Sequence, residues 1–153
     1  MSRIAQRFKV ESNCVGSETE ICRNIDSVFQ SIKSLIRDSG YKNIAVSNHN
    51  ICVDNQIIQK LSVDLPKINF FNENYESGDH LQHSSNTHRL AQTDLSITGV
   101  DCLIADSGTI ILTSKPEASR QISLLPTAHL ALASINQIYP NLSTALEYLQ
   151  STW

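Results

Sequence analysis

The sequence lacks several features that would assign it directly to a class of protein. No apolar run approaches the roughly 20 residues that span a bilayer, and Met1 to Val10 contain no apolar stretch of the secretory type. Neither a GxGxxG fingerprint nor a GxxxxGK[ST] loop occurs, so nucleotide binding of the usual kind is not supported. We therefore expect a cytoplasmic protein without a membrane span and without a nucleotide cofactor.

Closely spaced cysteines are also missing. The four cysteines, Cys14, Cys22, Cys52 and Cys102, form no close pair of the type that binds zinc or an iron–sulfur cluster. In a reducing compartment such scattered cysteines are expected to be small buried hydrophobes and not disulfides. We predict that the chain carries neither a metal nor any other cofactor of its own.

A strong charge of one sign is absent as well. The 12 basic and 15 acidic residues give a formal net charge of -3, which does not favour binding to nucleic acid. Hydrophobic residues make up 41% of the chain and charged residues 18%, so a disordered chain is not favoured either. With 153 residues the chain has the usual size of one domain, and we expect a single domain over 1–153.

The clearest predicted element is a helix from about Glu18 to Ser39. Ser17 followed by Glu20 has the form of a capping box, and Gly40 suits the left-handed conformation that ends helices. The apolar stripe of this helix consists of residues at helical spacing, namely Ile21, Ile25, Val28, Phe29, Ile32, Leu35 and Ile36. Such a helix needs an apolar surface to cover.

Short β-rich runs supply that surface. They are Asn43 to Ser47, Lys67 to Phe71, Asp94 to Thr98, Cys102 to Ala105, Thr109 to Thr113 and His129 to Ala133. A short helix, Asn55 to Leu61 with Asp54 as its cap, separates the first two runs, which is the pattern of a βαβ unit. A last helix, about Leu142 to Leu149, is expected to bury Leu142, Ala145, Leu146 and Leu149. The predicted fold is α/β, with a mainly parallel sheet covered by helices.

One polar segment interrupts this pattern. Asn72 to Asn86 has almost no periodicity and predicts a mobile loop or a lid. His80, His83 and His88 in and after it have the spacing of metal ligands, but a loop gives them no fixed geometry, so we favour an ordinary polar loop.

Three linked motifs in the second half carry a resemblance to a known family. They are Ile97-Thr98-Gly99-Val100-Asp101, then Ile104-Ala105-Asp106-Ser107-Gly108-Thr109, then Arg120 with Ser123-Leu124-Leu125-Pro126 and His129. Their order and separations resemble the lactate-utilization (LUD) domain family, in particular its protein C type, over about Asp94 to Leu149. The first half matches only in its general pattern of elements.

The resemblance implies both a fold and a function. The fold would be similar to that of the sugar-phosphate isomerase and coenzyme A transferase group. The function would be a role in oxidising L-lactate to pyruvate alongside iron–sulfur partner subunits. This chain is shorter than the usual family member, which implies trimming on its amino-terminal side, and fold alone would not license the function.

The turn Asp106-Ser107-Gly108-Thr109 is the first candidate site. It lies between two β-rich runs, and the ends of strands in an open α/β sheet are where ligands usually bind. Its backbone N–H groups and the hydroxyls of Ser107 and Thr109 suit a carboxylate or phosphate, with Gly108 at positive φ or in close approach to the ligand. The alternative is a β-hairpin turn whose polar groups bond only their own backbone.

Two more residues of the motifs suit an anion site. The planar fork of Arg120 fits two-point recognition of a carboxylate or phosphate, the alternative being a solvated surface arginine. His129 could transfer a proton near neutral pH, the alternative being a core histidine bonded to a backbone carbonyl. The resemblance places Thr98 and Gly99 near the Asp106 turn, where the Thr98 hydroxyl joins the same site; Asp101 is either part of it or a turn residue.

Three functions remain open from the sequence. The first is a subunit of a lactate-oxidising assembly that binds a small carboxylate or phosphate through Thr98, Gly99, Ser107, Gly108, Thr109 and Arg120, with electrons leaving through iron–sulfur partners. The second is a stand-alone enzyme on a small phosphorylated or acyl substrate, with Asp106 or His129 as general acid or base. The third is a regulatory ligand-binding protein, so whether the chain is an enzyme stays open.

Overall fold

The computed structural model describes residues 2–72, 80–113 and 120–152. Its elements in chain order are α1 (Arg3–Cys14), α2 (Ile25–Ser39), β1 (Asn43–Val46), α3 (Asn50–Asp54), α4 (Ile57–Asp64), β2 (Asn69–Asn72), α5 (His80–Ala91), β3 (Leu95–Gly99), β4 (Cys102–Ile104), β5 (Thr109–Ile111), α6 (Gln121–Leu124), β6 (Ala128–Leu132), a 3₁₀ turn (Ile135–Gln137), β7 (Ile138–Tyr139) and α7 (Leu142–Thr152).

The chain forms two compact units, each of which is described by itself. The parallel-sheet unit comprises Asn24–Gly99 and Ser114–Leu132, and the hairpin unit comprises Met1–Arg23, Val100–Thr113 and Ala133–Trp153. The expectation of one domain over the whole chain stays a prediction. Among the described residues, no helix is long and apolar enough to cross a membrane.

The parallel-sheet unit is built on four strands in the order β2-β1-β3-β6. All three of its strand pairings are parallel, as Ile44 opposite Phe70, Ile44 opposite Leu95 and Ile97 opposite Leu130 illustrate. Parallel neighbours need a long crossover between them, and the helices α3, α4, α5 and α6 lie in those connections. Across all described strands, the β4–β5 pairing alone is antiparallel, so the predicted mainly parallel α/β fold is confirmed.

The two faces of this sheet are covered by different helices. Alternate strand residues point to opposite faces, and the larger apolar cluster joins Ile44 and Ile97 to α2, α3 and α4 through Ile32, Cys52 and Leu61. Ala45 points the other way and packs with Leu90 of α5 and Ile122 of α6. The connection that leaves β1 therefore lies on one face, and the helices before β3 and β6 lie on the other.

Helix α2 begins later than the sequence predicted. The capping box at Ser17 and Glu20 is wrong, since the helix begins at Ile25 with Asn24 as its cap. Asn24 Oδ1 accepts a hydrogen bond from the Ser27 N–H at 2.9 Å, and Ser27 Oγ accepts one from the Asn24 N–H at 3.2 Å. The end was predicted correctly, because Gly40 caps the helix at a φ of 71°.

The hairpin unit contains a three-stranded sheet of order β5-β4-β7 with α1 and α7. Cys102, Ile104 and Ala145 form its buried core, against which Tyr139 and Leu149 pack. The predicted inner face of α7 is only half right, because Leu142 and Leu146 are 52% and 45% exposed.

Two other predictions fail at the level of elements. Helix α5 begins at His80, so the predicted polar loop is wrong from there to Asn86, while 73–79 lie outside the described residues. The short second helix begins at Ile57 after Gln56, which means that Asp54 ends α3 and does not cap α4.

Candidate functional site

The carboxyl ends of β1 and β3 form the topological switch point of the parallel sheet. The chain leaves β1 for the face that carries α3 and α4, and it reaches β3 and β6 through helices of the opposite face. Ligands of open α/β sheets bind in the crevice that such a reversal leaves at the carboxyl ends of the strands. We call the residues Ser47, His49, Thr98 and Gly99 at these two strand ends the switch-point edge.

Thr98 and His129 are two predicted site residues from different strands whose side chains are in direct contact. Thr98 Oγ1 lies 2.7 Å from His129 Nε2, across the neighbouring strands β3 and β6. Thr98 is buried, whereas His129 is exposed overall. The hydrogen bond holds the imidazole in one orientation above a buried hydroxyl, because the threonine rotamer is itself fixed by its strand.

The protonation state of His129 follows from its surroundings. Desolvation of the ring lowers the pKa of His129 below its ordinary value of 6.5, even though part of the side chain stays in water. The ring is therefore neutral at neutral pH and can accept a proton when an anion arrives beside it. This is the chemistry of a general base or of a proton-coupled anion site.

Sequence reasoning missed His49 at the same edge. The half-buried His49 follows β1 and caps α3, since its Nδ1 accepts a hydrogen bond from the Ile51 N–H at 3.3 Å. A Cβ built on Gly99 would lie within 2.6 Å of three atoms of the His49 ring. The polar run Ser47-Asn48-His49-Asn50 directly after a β-rich run was the signal that could have identified this residue.

Ser47 and Cys52 complete the polar surroundings of the β1 end. Ser47 continues the strand ladder by donating its N–H to Ile97 O at 2.9 Å, and its Oγ lies 3.8 Å from Cys52 Sγ. Burial raises the pKa of the Cys52 thiol, against the opposing effect of Ser47 and the Gly99 backbone. Cys52 is thus a protonated, buried thiol and a poor nucleophile at neutral pH.

In the hairpin unit, the turn Asp106-Ser107-Gly108-Thr109 connects the antiparallel strands β4 and β5. Ser107 Oγ and Thr109 Oγ1 lie 2.9 Å apart at the surface, and Asp106 is exposed as well. This is the hairpin geometry that we weighed as the alternative to a site. An exposed pair of hydroxyls beside a carboxylate can still bind a ligand, so the predicted roles of these residues stay predictions.

Backbone conformation and packing explain why a glycine stands at position 108. Its φ of +64° lies in the left-handed region, as predicted, and a Cβ there would lie within 2.6 Å of backbone atoms of Glu11 and Ser12. The turn therefore packs against the last part of α1 through the backbone of Gly108. Glycine at this position is explained by conformation and close approach, with no ligand needed.

The remaining predicted residues have simple surroundings. Arg120 is exposed at the start of α6 and forms no ion pair with another described residue. Asp101 accepts hydrogen bonds from the N–H and hydroxyl of Thr113, at 2.7 and 2.9 Å, which makes it a residue that fixes the end of the hairpin. Within the described parts of the chain, no three His, Cys, Asp or Glu side chains cluster as metal ligands.

Comparisons with known proteins identify a family and several relatives of this chain. The family model described as the LUD domain matches residues 5–152 of this chain. A lactate utilization protein C of Halalkalibacterium halodurans is 34% identical over 71 residues, which are 46% of this chain and 31% of that relative. A lactate utilization protein C of Bacillus subtilis is 31% identical over 65 residues, or 42% of this chain and 27% of that relative.

Each of these matches thus covers about a third or less of the curated relative's own length. Among solved structures, a protein of the DUF162 family from Deinococcus radiodurans is 18% identical with a TM-score of 0.45, covering 87% of this chain and 83% of that one.

Proposed function

Because this chain belongs to the LUD domain family, we propose that it is the ligand-binding subunit of an assembly that oxidises L-lactate to pyruvate. Its ligand in this proposal is a small carboxylate, bound at the switch-point edge and His129. The names of the curated relatives, lactate utilization protein C, support this choice of pathway. The partners would be iron–sulfur subunits.

The observation that carries the proposal is the 2.7 Å contact between Thr98 and His129. A polar pair on the face of a parallel sheet is unusual, since both faces of such sheets are normally apolar. The pair adjoins the switch point, where α/β sheets bind ligands. A neutral imidazole held there can pair with a carboxylate by taking up a proton, or can accept the proton of a hydroxy acid.

The need for partners follows from the chemistry of the reaction. Oxidation of a hydroxy acid to a keto acid releases two electrons and two protons, and the electrons need a redox centre. The four cysteines of this chain lack the spacing that ligates iron–sulfur clusters. The proposal therefore assigns substrate binding to this chain and electron transfer to other subunits.

The other predicted contacts are proposed for each unit by itself, Arg120 for the parallel-sheet unit and Ser107 and Thr109 for the hairpin unit. Arg120, as an exposed guanidinium, suits the carboxylate, and the hydroxyls of Ser107 and Thr109 suit either a carboxylate or a phosphate. Each is tested by its own substitution, Arg120→Ala or Ser107→Ala, in the binding assay described next.

Isothermal titration of L-lactate and pyruvate into the purified protein tests the proposal. His129→Phe should weaken binding by about 1.5 to 3 kcal/mol, the range for a hydrogen bond to a charged group, and Thr98→Val by about 1 kcal/mol. Thr93→Val is the matched control, since Thr93 is a buried threonine whose hydroxyl donates to Arg89 O just before the amino end of β3, at the end of the strand opposite to the switch-point edge. Equal affinity of the wild type and His129→Phe would refute the proposal.

A stand-alone enzyme is the second candidate, and the same contact favours it. A hydroxyl hydrogen-bonded to an imidazole is also the arrangement of a nucleophile and its base. Turnover of a phosphorylated or acyl substrate by the purified chain, lost in Thr98→Val, would support this function over the first.

A further inference from the structure

We infer that Thr98 is a positioning residue, whose hydroxyl donates a hydrogen bond to Nε2 of His129 and thereby leaves the proton of the neutral imidazole on Nδ1. In this arrangement Nδ1–H donates a hydrogen bond to a carboxylate oxygen of a small hydroxy or keto acid. The inference deepens the proposed function and rests on it, because it states how His129 contacts the ligand. No proton uptake by the ring is needed, since the donor already exists in the neutral form.

The direction of the hydrogen bond follows from the burial of Thr98. Thr98 Oγ1 and His129 Nε2 lie 2.7 Å apart, and Thr98 is only 3% exposed. The hydroxyl forms no other hydrogen bond with a described residue. If Nε2 carried the proton, the hydroxyl hydrogen would be buried without an acceptor, which destabilises the folded state. Donation from Thr98 to an unprotonated Nε2 avoids this loss.

Ser96 shows how a buried hydroxyl of the same strand is otherwise satisfied. It is fully buried, lies on the same face of β3 as Thr98, and donates to Ala128 O at 3.4 Å. Thr98 lies opposite Ala131 in the register and has no such bond to a carbonyl in the described parts of the chain. The acceptor of its hydroxyl is therefore the ring of His129.

The other ring nitrogen, Nδ1, is the one that a ligand can reach. His129 is exposed overall, and none of the described side chains or backbone groups hydrogen-bonds its Nδ1. A histidine that serves a nucleophile usually has its second nitrogen oriented by a carboxylate of the protein. Here no carboxylate of a described residue pairs with the ring, so a carboxylate of the ligand fits this position.

The contact with Thr98 also restricts the direction of the Nδ1–H group. A threonine in a strand has few side-chain rotamers, so its hydroxyl holds the imidazole from one fixed point. Preorganised donors of this type lose little entropy when a ligand binds, which increases their contribution to affinity.

A long-range ¹H–¹⁵N spectrum of the wild-type imidazoles at about pH 8, where the ring of His129 is neutral, identifies the tautomer. The chain has five histidines, and the signals lost in His129→Phe are those of His129. We expect the shift of a protonated nitrogen for Nδ1 and that of an unprotonated nitrogen for Nε2. Saturating L-lactate or pyruvate should move the Nδ1 signal. Calorimetry in two buffers of different ionisation enthalpy should detect no proton uptake on binding.

Variants of Thr98 separate its positioning role from a structural one. Thr98→Val should give intermediate shifts for both nitrogens and weaken L-lactate binding about fivefold. Thr98→Ser keeps the hydroxyl and should restore both the tautomer and the affinity. Ser96→Ala is the matched control, because it removes a buried hydroxyl of the same strand that does not bond the ring. A purely structural role of Thr98 would leave the ¹⁵N pattern of Thr98→Val unchanged.

A wild-type ring protonated on Nε2, or uptake of a proton on binding, would overturn the inference, while the proposed function stands if His129→Phe still weakens binding. An Nδ1 signal that bound L-lactate does not move would overturn the contact with the ligand. Absence of binding heat and of any His129 shift with L-lactate and pyruvate would overturn both.

Discussion

The stability of the protein is expected to depend on pH through the imidazole of His129. Its ring loses part of its hydration on folding, and this lowers the pKa of His129 below 6.5. The contact with Thr98 fixes the ring but adds no charge that would favour the imidazolium form. Folding and protonation of this residue therefore oppose each other.

The sign of this linkage predicts the acid response of the fold. His129 binds a proton more readily in the unfolded chain than in the folded one. The free energy of unfolding therefore has its full value with respect to this residue above pH 6.5, and it decreases as the pH falls from 6.5 towards the lower pKa of the folded state. His129→Gln should make the free energy of unfolding less dependent on pH between 7 and 5. Urea unfolding at several pH values measures this, and parallel curves of wild type and variant across that window would contradict it.

Gly99 gives a second prediction at the residue scale. Gly99→Ala should destabilise the protein by about 1 to 3 kcal/mol, because the new methyl group overlaps the His49 ring. The same substitution in a His49→Ala background should cost much less, since the overlapping ring atoms are gone. A double-mutant cycle by urea unfolding measures the coupling. Strict additivity of the two substitutions would show that the ring and Gly99 do not interact.

Sequence reasoning found some of these residues and not others for a physical reason. Thr98 and His129 belong to motifs that can be recognised in the chain, although their contact depends on the β3–β6 register. His49 stands outside the motifs, and its importance arises from its approach to Gly99, which is 50 positions away. Such a contact is a property of the folded backbone and leaves little trace in local sequence.

At the scale of elements, two capping patterns precede α2 in the sequence, and only the second one caps the helix. Ser17 and Glu20 fit the capping pattern, yet Asn24 and Ser27 form the actual box. The segment before α2 is held by α1, because the Thr19 N–H bonds Asn13 Oδ1 and the Thr19 hydroxyl bonds Ser12. Those tertiary hydrogen bonds keep the first candidate cap out of a helix.

Substitution of the two candidate caps tests this directly. Asn24→Ala should cost about 1 kcal/mol of stability, the usual effect of removing a helix N-cap. Ser17→Ala should change the stability little, since Ser17 is exposed and caps no helix. Thermal or urea unfolding of both variants gives the comparison. A larger loss in Ser17→Ala than in Asn24→Ala would mean that α2 extends further than the structure shows.

Some of the other elements were also predicted from the sequence, and others were missed. Strands β1 to β6 were predicted to within about two residues, because β-branched and aromatic runs bounded by turn residues report local preference, whereas the two-residue strand β7 was not predicted. Helix α5 was missed because its amino-terminal half is polar and lacks an apolar period, although Leu90 anchors its end in the core. Helix formation there depends on tertiary packing more than on propensity.

At the scale of the whole molecule, the order β2-β1-β3-β6 defines the candidate site. The strand-helix-strand spacing predicted parallel pairing, but the order of strands depends on contacts between distant segments. That order places the reversal between β1 and β3 and makes their carboxyl ends the candidate place for a ligand. The chain belongs to the LUD domain family, and the lactate pathway is proposed from the names of its curated relatives.

Co-purification of the tagged chain from its native cells tests the central claim most directly. The account predicts that iron–sulfur subunits elute with it under anaerobic conditions and that the complex, but not the isolated and colourless chain, oxidises L-lactate to pyruvate with an added electron acceptor. The chain purifying alone, together with turnover of a phosphorylated or acyl substrate by the isolated protein, would contradict it.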